Sequence, residues 1–287
     1  MKEIRKNINS KYVINPLTNE ELNQFLDHKS REIIKYFIIK SLFSQPEPKL
    51  DQNTLPIQIP KEHIEQWFTQ ALNVNSVGAG SYPIDIYNPE QKWGADIKML
   101  NIKISKSGNV LNSDSGEASL GQKFTGTGNE LDSLFKDKNY TSIKNGWLNL
   151  YVEKYKSIKD KYDIDKIFYF FILRPGSQKE GAYFYFTGAV INLDNIKNVK
   201  VNISRTTDKS VYIQNFISDK YGNTKIYKSK RRLELRLYPK EWVDNKFALK
   251  IATTFNHQHI NLREEYNKDY LNTKLEEINN IKVEFID

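Results

Sequence analysis

Residues 81–100 read SYPIDIYNPEQKWGADIKML, and this stretch decides the fold. Two short apolar runs flank Asn88-Pro89-Glu90-Gln91, a turn-forming segment, which predicts an antiparallel hairpin. Each run carries one aspartate: Asp85 inside Pro-Ile-Asp-Ile-Tyr and Asp96 inside Gly-Ala-Asp-Ile-Lys. Alternate residues of a strand share a face, so Asp96 and Lys98 project together while Ile97 turns to a core. With the two runs paired, Asp85 reaches the same edge, and two carboxylates and one ammonium gather. Neighbouring carboxylates repel unless a divalent cation lies between them. Hard oxygen ligands suit Mg²⁺, which keeps several waters and borrows further ligands from a substrate phosphate. Beside it Lys98 is placed to orient or deprotonate a water, and the chemistry favoured is phosphodiester hydrolysis.

Outward from the hairpin, the chain alternates helices and strands. LTNEELNQFLDHKSREIIKYFIIKSLF (17–43) predicts one long helix with Thr18 and Glu21 as a capping box. The Pro-rich SQPEPKLDQNTLPIQIP predicts a loop, and Pro60 opens a second helix with Ile64, Trp67, Phe68, Ala71 and Leu72 on its apolar face. SLGQKFTGTGNELDSLF and GWLNLYVEKYKSIKDKY predict helices. DKIFYFFILRP and AYFYFTGAVINL predict buried strands, and RRLELRLYP a half-exposed one. Buried strands account for the FYFF and YFYF runs better than base-stacking faces do. The expected class is α/β with a mixed central sheet flanked by helices and a basic, β-rich C-terminal elaboration. No clean linker divides the chain. We therefore expect a single domain over 1–287, with a catalytic core at 60–190 and a recognition elaboration at 197–253.

Composition narrows the function classes. The chain has 287 residues, no cysteine, 17 Tyr and 15 Phe, so disulfides, thiolate metal sites and a cysteine nucleophile are excluded. No apolar run reaches the length of a membrane helix, and the N-terminal stretch lacks the apolar region of a signal peptide. The expectation is a cytoplasmic protein with no membrane partner. The net charge is +8, and Lys200–Arg232 alone holds nine basic residues against Asp208 and Asp219, an excess of +7. Such clustering is the footprint of a polyanion binder. Here Lys209, Lys225, Lys228, Lys230, Arg205, Arg231 and Arg232 are candidate phosphate anchors. Gln214, like the arginines, has the donors to read base edges. KYGNTK (220–225) predicts a hairpin turn, which would make this segment a β-ribbon suited to a groove.

Pro83-Ile84-Asp85, a gap of ten residues, then Asp96-Ile97-Lys98 resembles the signature of the PD-(D/E)XK nucleases. Ile84 separates the proline from the aspartate, a departure that many members share. The resemblance spans about residues 60 to 125. It implies a strand hairpin in a mixed sheet, Asp85 and Asp96 as Mg²⁺ ligands and Lys98 as the water-orienting group. It adds Glu65 of the upstream helix to the catalytic set and Gln122 of the segment downstream as a further site residue. By resemblance the activity is that of a type II restriction enzyme, a homodimer cutting both strands of double-stranded DNA at a short site.

Rival readings remain at this level. Asp96 and Lys98 also suit a surface ion pair, and Glu117 competes as the second acid from a stretch that reads as helix or loop. His257-Gln258-His259 offers two imidazoles but no third ligand. GTGNE (126–130) has no nucleotide-loop spacing, and no Gly-x-Ser-x-Gly occurs. The alternative functions are a non-catalytic DNA-binding protein, a repair or defence nuclease without fixed sequence specificity, and a protein-interaction domain.

Overall fold

The structure is a computed structural model. It describes residues 10–286 except 54–56, 79–81, 106, 113–115, 121–127, 176–182, 256–257, 264–271, 274 and 277–279. The first third contains β1 (Ile14–Pro16), α1 (Asn19–Phe25), α2 (His28–Phe43), α3 (Lys61–Leu72), β2 (Asn75–Ser76), β3 (Ile86–Asn88) and β4 (Trp93–Ile102). The middle contains β5 (Glu117–Ser119), α4 (Gly128–Lys136), α5 (Tyr140–Tyr162), β6 (Lys166–Pro175) and β7 (Tyr183–Ile191). The last third contains β8 (Lys200–Val201), β9 (Ser210–Gln214), β10 (Gly222–Tyr227), β11 (Arg232–Leu237), α6 (Pro239–Asp244), β12 (Ala248–Thr253) and β13 (Val283–Ile286).

Two sheets organise the chain. The larger runs β13-β12-β7-β6-β4-β3-β2, with β1 also pairing β7. Its centre is the parallel pair β4–β6, ten residues long from Trp93↔Lys166 to Ile102↔Pro175, and its other ladders are antiparallel. The fold is thus mixed α/β with a mixed central sheet flanked by helices. Strands covered on both faces read as continuous apolar runs, and Phe168 through Phe171 are fully buried. Phe168, Phe170 and Ile97 face α1–α3, while Tyr169, Phe171 and Leu173 face α5.

The second sheet, β5-β11-β10-β9-β8, covers the other side of α5. Leu233, Leu235 and Leu237 of β11 and Ile226 of β10 pack inward with Trp147, Tyr151 and Tyr155 of α5. The order of layers is α1–α3, large sheet, α5, small sheet. The sequence division near residue 190 is crossed in both directions. β5 joins the small sheet from within 60–190, and β12 of 197–253 joins the large one.

Several local expectations are refined. The capping box at Thr18 and Glu21 forms, but 17–43 is two helices rather than one. Asp27 accepts the Ser30 N–H and caps α2, and this second cap ends the first helix at Phe25. The segment 119–135 is not one helix: Ser119 ends β5 and the helix starts at Gly128. Of the expected 220–225 turn only Lys220 and Tyr221 lie in a turn, which spans 219–221, and Gly222 onward is strand β10. The tight β10–β11 connection is instead Lys228–Arg231, with Arg231 at φ 48°. On β11 the half-exposed expectation fails at Glu234, which is buried.

Phe170 anchors the α1–α3 side of the sheet, with ring contacts to Phe25 at 5.0 Å and Phe186 at 5.4 Å. Phe170→Ala is expected to lower the unfolding free energy by about 3–5 kcal/mol. Urea unfolding followed by circular dichroism measures this, and a loss below about 1 kcal/mol would contradict the packing described.

Candidate active site

The β3–β4 ladder starts at the turn and ends at Ile86↔Ala95. One residue further, the Asp85 N–H donates to Ala95 O at 2.8 Å, and the Asp85 carboxylate accepts the Ile97 N–H at 2.7 Å. A side chain thus takes over from the backbone ladder, which gives the mid-strand aspartate a structural reason as well as a chemical one. On β4, Asp96 is buried and Lys98 Nζ lies 2.8 and 2.7 Å from its two carboxylate oxygens. The surface ion-pair reading of these two residues is therefore replaced by a largely enclosed pair. Ile97 is buried on the opposite face, as the alternation requires.

Electrostatics tie the carboxylates together. The Asp85 carboxyl is pushed up to about 7, by burial first, then by the charge of Asp96 and more weakly by Glu65. The Ile97 N–H and Lys98 pull the other way without cancelling the effect. Three expected members of the site, Asp85, Asp96 and Lys98, are therefore together, and Glu65 approaches from α3. Gln122 lies outside the described residues, as does His257. His259 sits 3.0 Å from Gln52 O.

Sequence reading missed Lys154. It lies on α5, three residues after Tyr151 and four before Ile158, on the stripe that α5 buries. Burial lowers its pKa, and Asp96, Lys98 and Asp85 all act on it electrostatically. A lysine on an otherwise apolar helical stripe is the signal that could have found it. Beneath the pair, the hydroxyls of Tyr151, Tyr155 and Tyr169 hydrogen-bond to one another at 3.1 and 2.6 Å. Tyr169 stands in register beside Asp96, and the Lys98 ammonium lies 6.0 Å from its ring centre.

The donor set fits Mg²⁺. Among the described residues no group of three His, Cys, Asp or Glu could hold a metal ion. Mg²⁺, however, is commonly held by one or two carboxylates plus substrate phosphate and water. Two neighbouring carboxylates, one of them raised first by burial and then by the charge of the other, are the electrostatic condition that a dication relieves. Asp85 and Asp96 would hold it, displacing Lys98 from Asp96 and the proton from Asp85. A cavity of about 500 Å³ lies on the helical side, lined by Gln24, Asp27, Gln70, Asn73, Asn88 and Gln91, and includes neither aspartate.

The rival acid Glu117 belongs elsewhere. It is a β5 strand residue on the small sheet, accepting hydrogen bonds from Tyr227 (2.7 Å), Lys230 (2.8 Å) and Arg236 (2.8 Å). Burial opposes its charge, but these donors and Glu234 outweigh burial and hold its carboxyl well below the usual range. Burial and Glu117 raise Glu234 in turn.

The basic segment forms the outer face of this sheet, and several of its charges are already paired. Lys230 bridges Glu117 and Glu234; Lys228 and Arg231 approach Asp132 at 4.0 and 3.1 Å. Arg205 pairs with Asp219 at 3.7 Å and lies over the Tyr212 ring at 3.9 Å. Lys209, Lys225 and Arg232 have no acidic partner among the described residues, and Gln214 is half-buried at the end of β9.

Among the described residues no helix is long and apolar enough to cross a membrane. No family model, curated protein or solved structure matches the chain.

Because folding raises the Asp85 pKa, the native state holds a proton that the unfolded chain releases near pH 4. Its contribution to stability is full below that pH and is lost as pH rises through about 7. Asp85→Asn keeps an acceptor for the Ile97 N–H. It should match the parent at pH 4 and exceed it at pH 8 by on the order of 1–3 kcal/mol in urea unfolding. Equal stability at both pH values would remove the carboxylate repulsion from the account.

Proposed function

We propose that the chain is a Mg²⁺-dependent endonuclease that hydrolyses phosphodiester bonds of double-stranded DNA at a short sequence. The observation that carries this reading is the convergence of Asp85 and Asp96 across the β3–β4 hairpin, with Lys98 on the Asp96 carboxylate. The hairpin lies in a mixed sheet between helices, an arrangement that supports a restriction-endonuclease-like fold. A homodimer would present two such sites to a two-fold symmetric duplex.

The chemistry follows from the residues. When bound, Mg²⁺ supplies a Lewis acid that polarises the phosphate and offsets developing charge. Asp85 and Asp96 fix its position, and Glu65 adds negative charge from α3. Once released from Asp96, the Lys98 ammonium is placed to orient the attacking water and the phosphate oxygen, while the water's proton passes to solvent. The water oxygen bonds to phosphorus as the bond to the leaving sugar oxygen breaks. Lys154 adds a second cation beside the carboxylates, suited to a phosphate oxygen. The outer face of the small sheet supplies phosphate contacts through Lys209, Lys225 and Arg232. Lys228, Lys230, Arg205 and Arg231 join once DNA phosphates compete for their ion pairs.

Plasmid DNA with the purified chain is expected to yield discrete fragments only with Mg²⁺. Asp96→Ala and Lys98→Ala should each slow cleavage by roughly 100-fold or more while still retarding DNA on a gel. Lys154→Met, which removes a positive neighbour, should move the acidic limb of the rate–pH profile to higher pH. Uncut DNA, or cleavage indifferent to both substitutions, would overturn the nuclease reading.

Binding carries its own test. Each of Lys209→Ala, Lys225→Ala and Arg232→Ala is expected to reduce the slope of log affinity against log salt by about 0.9. Unchanged slopes in all three would remove the small sheet from the interface.

A further inference from the structure

A group of tyrosines and one lysine sits next to the carboxylates and has no part in the chemistry above. Tyr82 is 42% exposed, three residues before Asp85, with buried Pro83 and Ile84 between them. The exposed Lys161, on the last turn of α5, places its ammonium 4.5 Å from the Tyr82 ring centre and 5.2 Å from that of Tyr162. It also donates to the Tyr82 hydroxyl at 3.3 Å. Tyr162 in turn packs on Tyr87 at 4.7 Å between centroids. Tyr87 is two residues past Asp85 and packs toward α5, about 7 Å along the strand.

Two lysines connect this group to the site. Lys154 and Lys161 are seven residues apart, two turns of α5, so they lie on the same side of the helix at a spacing of about 10 Å. Asp160 directly precedes Lys161 on the helix, where neighbours one apart do not face each other, and Asp163, two residues after it, is paired with Lys92 at 2.8 Å. The result is a row of alternating cations and aromatic faces leading away from Asp85. A base inside a duplex is covered on both faces, so an exposed ring beside a lysine suits a base that has left the stack.

We propose that Tyr82, Tyr162 and Lys161 form a platform for an unpaired nucleotide adjacent to the attacked phosphodiester, the base stacking on Tyr82 and the phosphate meeting Lys161. This rests on the nuclease reading for its location, but not for its test. The platform gives the enzyme a preference for DNA that carries, or readily yields, an unpaired base beside the cut.

The test is fluorescence anisotropy in EDTA, where no cleavage occurs, with a labelled oligothymidylate and with a duplex of equal length. The parent chain is expected to bind the single strand. Tyr82→Ala should weaken that binding at least roughly fivefold, Tyr82→Phe should restore it, and duplex affinity should be unchanged by either. Lys161→Gln should reduce the salt dependence of single-strand binding. No single-strand binding by the parent overturns the platform. So does parental affinity in Tyr82→Ala, failure of Tyr82→Phe to restore binding, or an equal loss on duplex. A Tyr82-dependent single-strand affinity in a chain that cuts nothing would keep the platform and sink the nuclease. Mg²⁺-dependent cleavage with single-strand affinity indifferent to Tyr82 would do the reverse.

Discussion

Ten residues of β4 lie parallel to ten of β6, and the rest of the molecule is arranged to cover that pair. A parallel pair is tolerated only when both faces are shielded, which is why helices α1–α3 occupy one side and α5 the other. The cost of such a position is severe for charge, since burial of an unpaired ion is strongly unfavourable. Asp96 and Lys98 nevertheless sit in β4, on the α5 face. Everything near them answers that constraint: the two-oxygen contact between them, the tyrosine hydroxyls beneath and Lys154 from α5. A fold without chemical use for these charges would reach the same packing more cheaply with apolar residues.

The small sheet extends this logic outward. It buries one face of leucines and isoleucines on α5 and turns a polar face to solvent. On that face Glu117 and Glu234 would repel each other, and Lys230, Arg236 and Tyr227 stabilise the pair. The sheet is held to the large sheet through α5 and β5, so a ligand gripped on its outer face would be registered against the carboxylates rather than tethered loosely to them.

Strand alternation made the core of the site readable. Asp96, Ile97 and Lys98 had to divide between two faces, and the turn at 88–91 had to bring Asp85 back to them. The buried strands 166–175 and 183–191 were equally plain from their unbroken apolar runs. The helical break at Leu26–Asp27 was harder, because the apolar spacing continues across it and only the Asp27–Ser30 cap interrupts it. The charge of the basic segment was only partly readable. A count within 200–232 gives +7, but Glu117 and Asp132 reach it from far along the chain and Glu234 from two residues past its end. Lys154 lay among many lysines of its helix; its place on the buried stripe distinguished it, and knowing what faced that stripe required the sheet.

The resting charges also say how the site would be switched on. Asp96 is paired with Lys98, and burial together with the charge of Asp96 pushes the Asp85 carboxyl up to about 7. Under the proposed function, a dication at this site would displace a proton and an ion pair, leaving a second anionic ligand and a free ammonium beside the phosphate. If a dication binds there, its affinity should rise as pH rises toward the raised Asp85 pKa, because the proton competes with it below that value. The same displacement couples loading to substrate: a phosphate that accepts Lys98 lowers the cost of removing it from Asp96. DNA and cation should accordingly bind cooperatively at this site, each making the other's place.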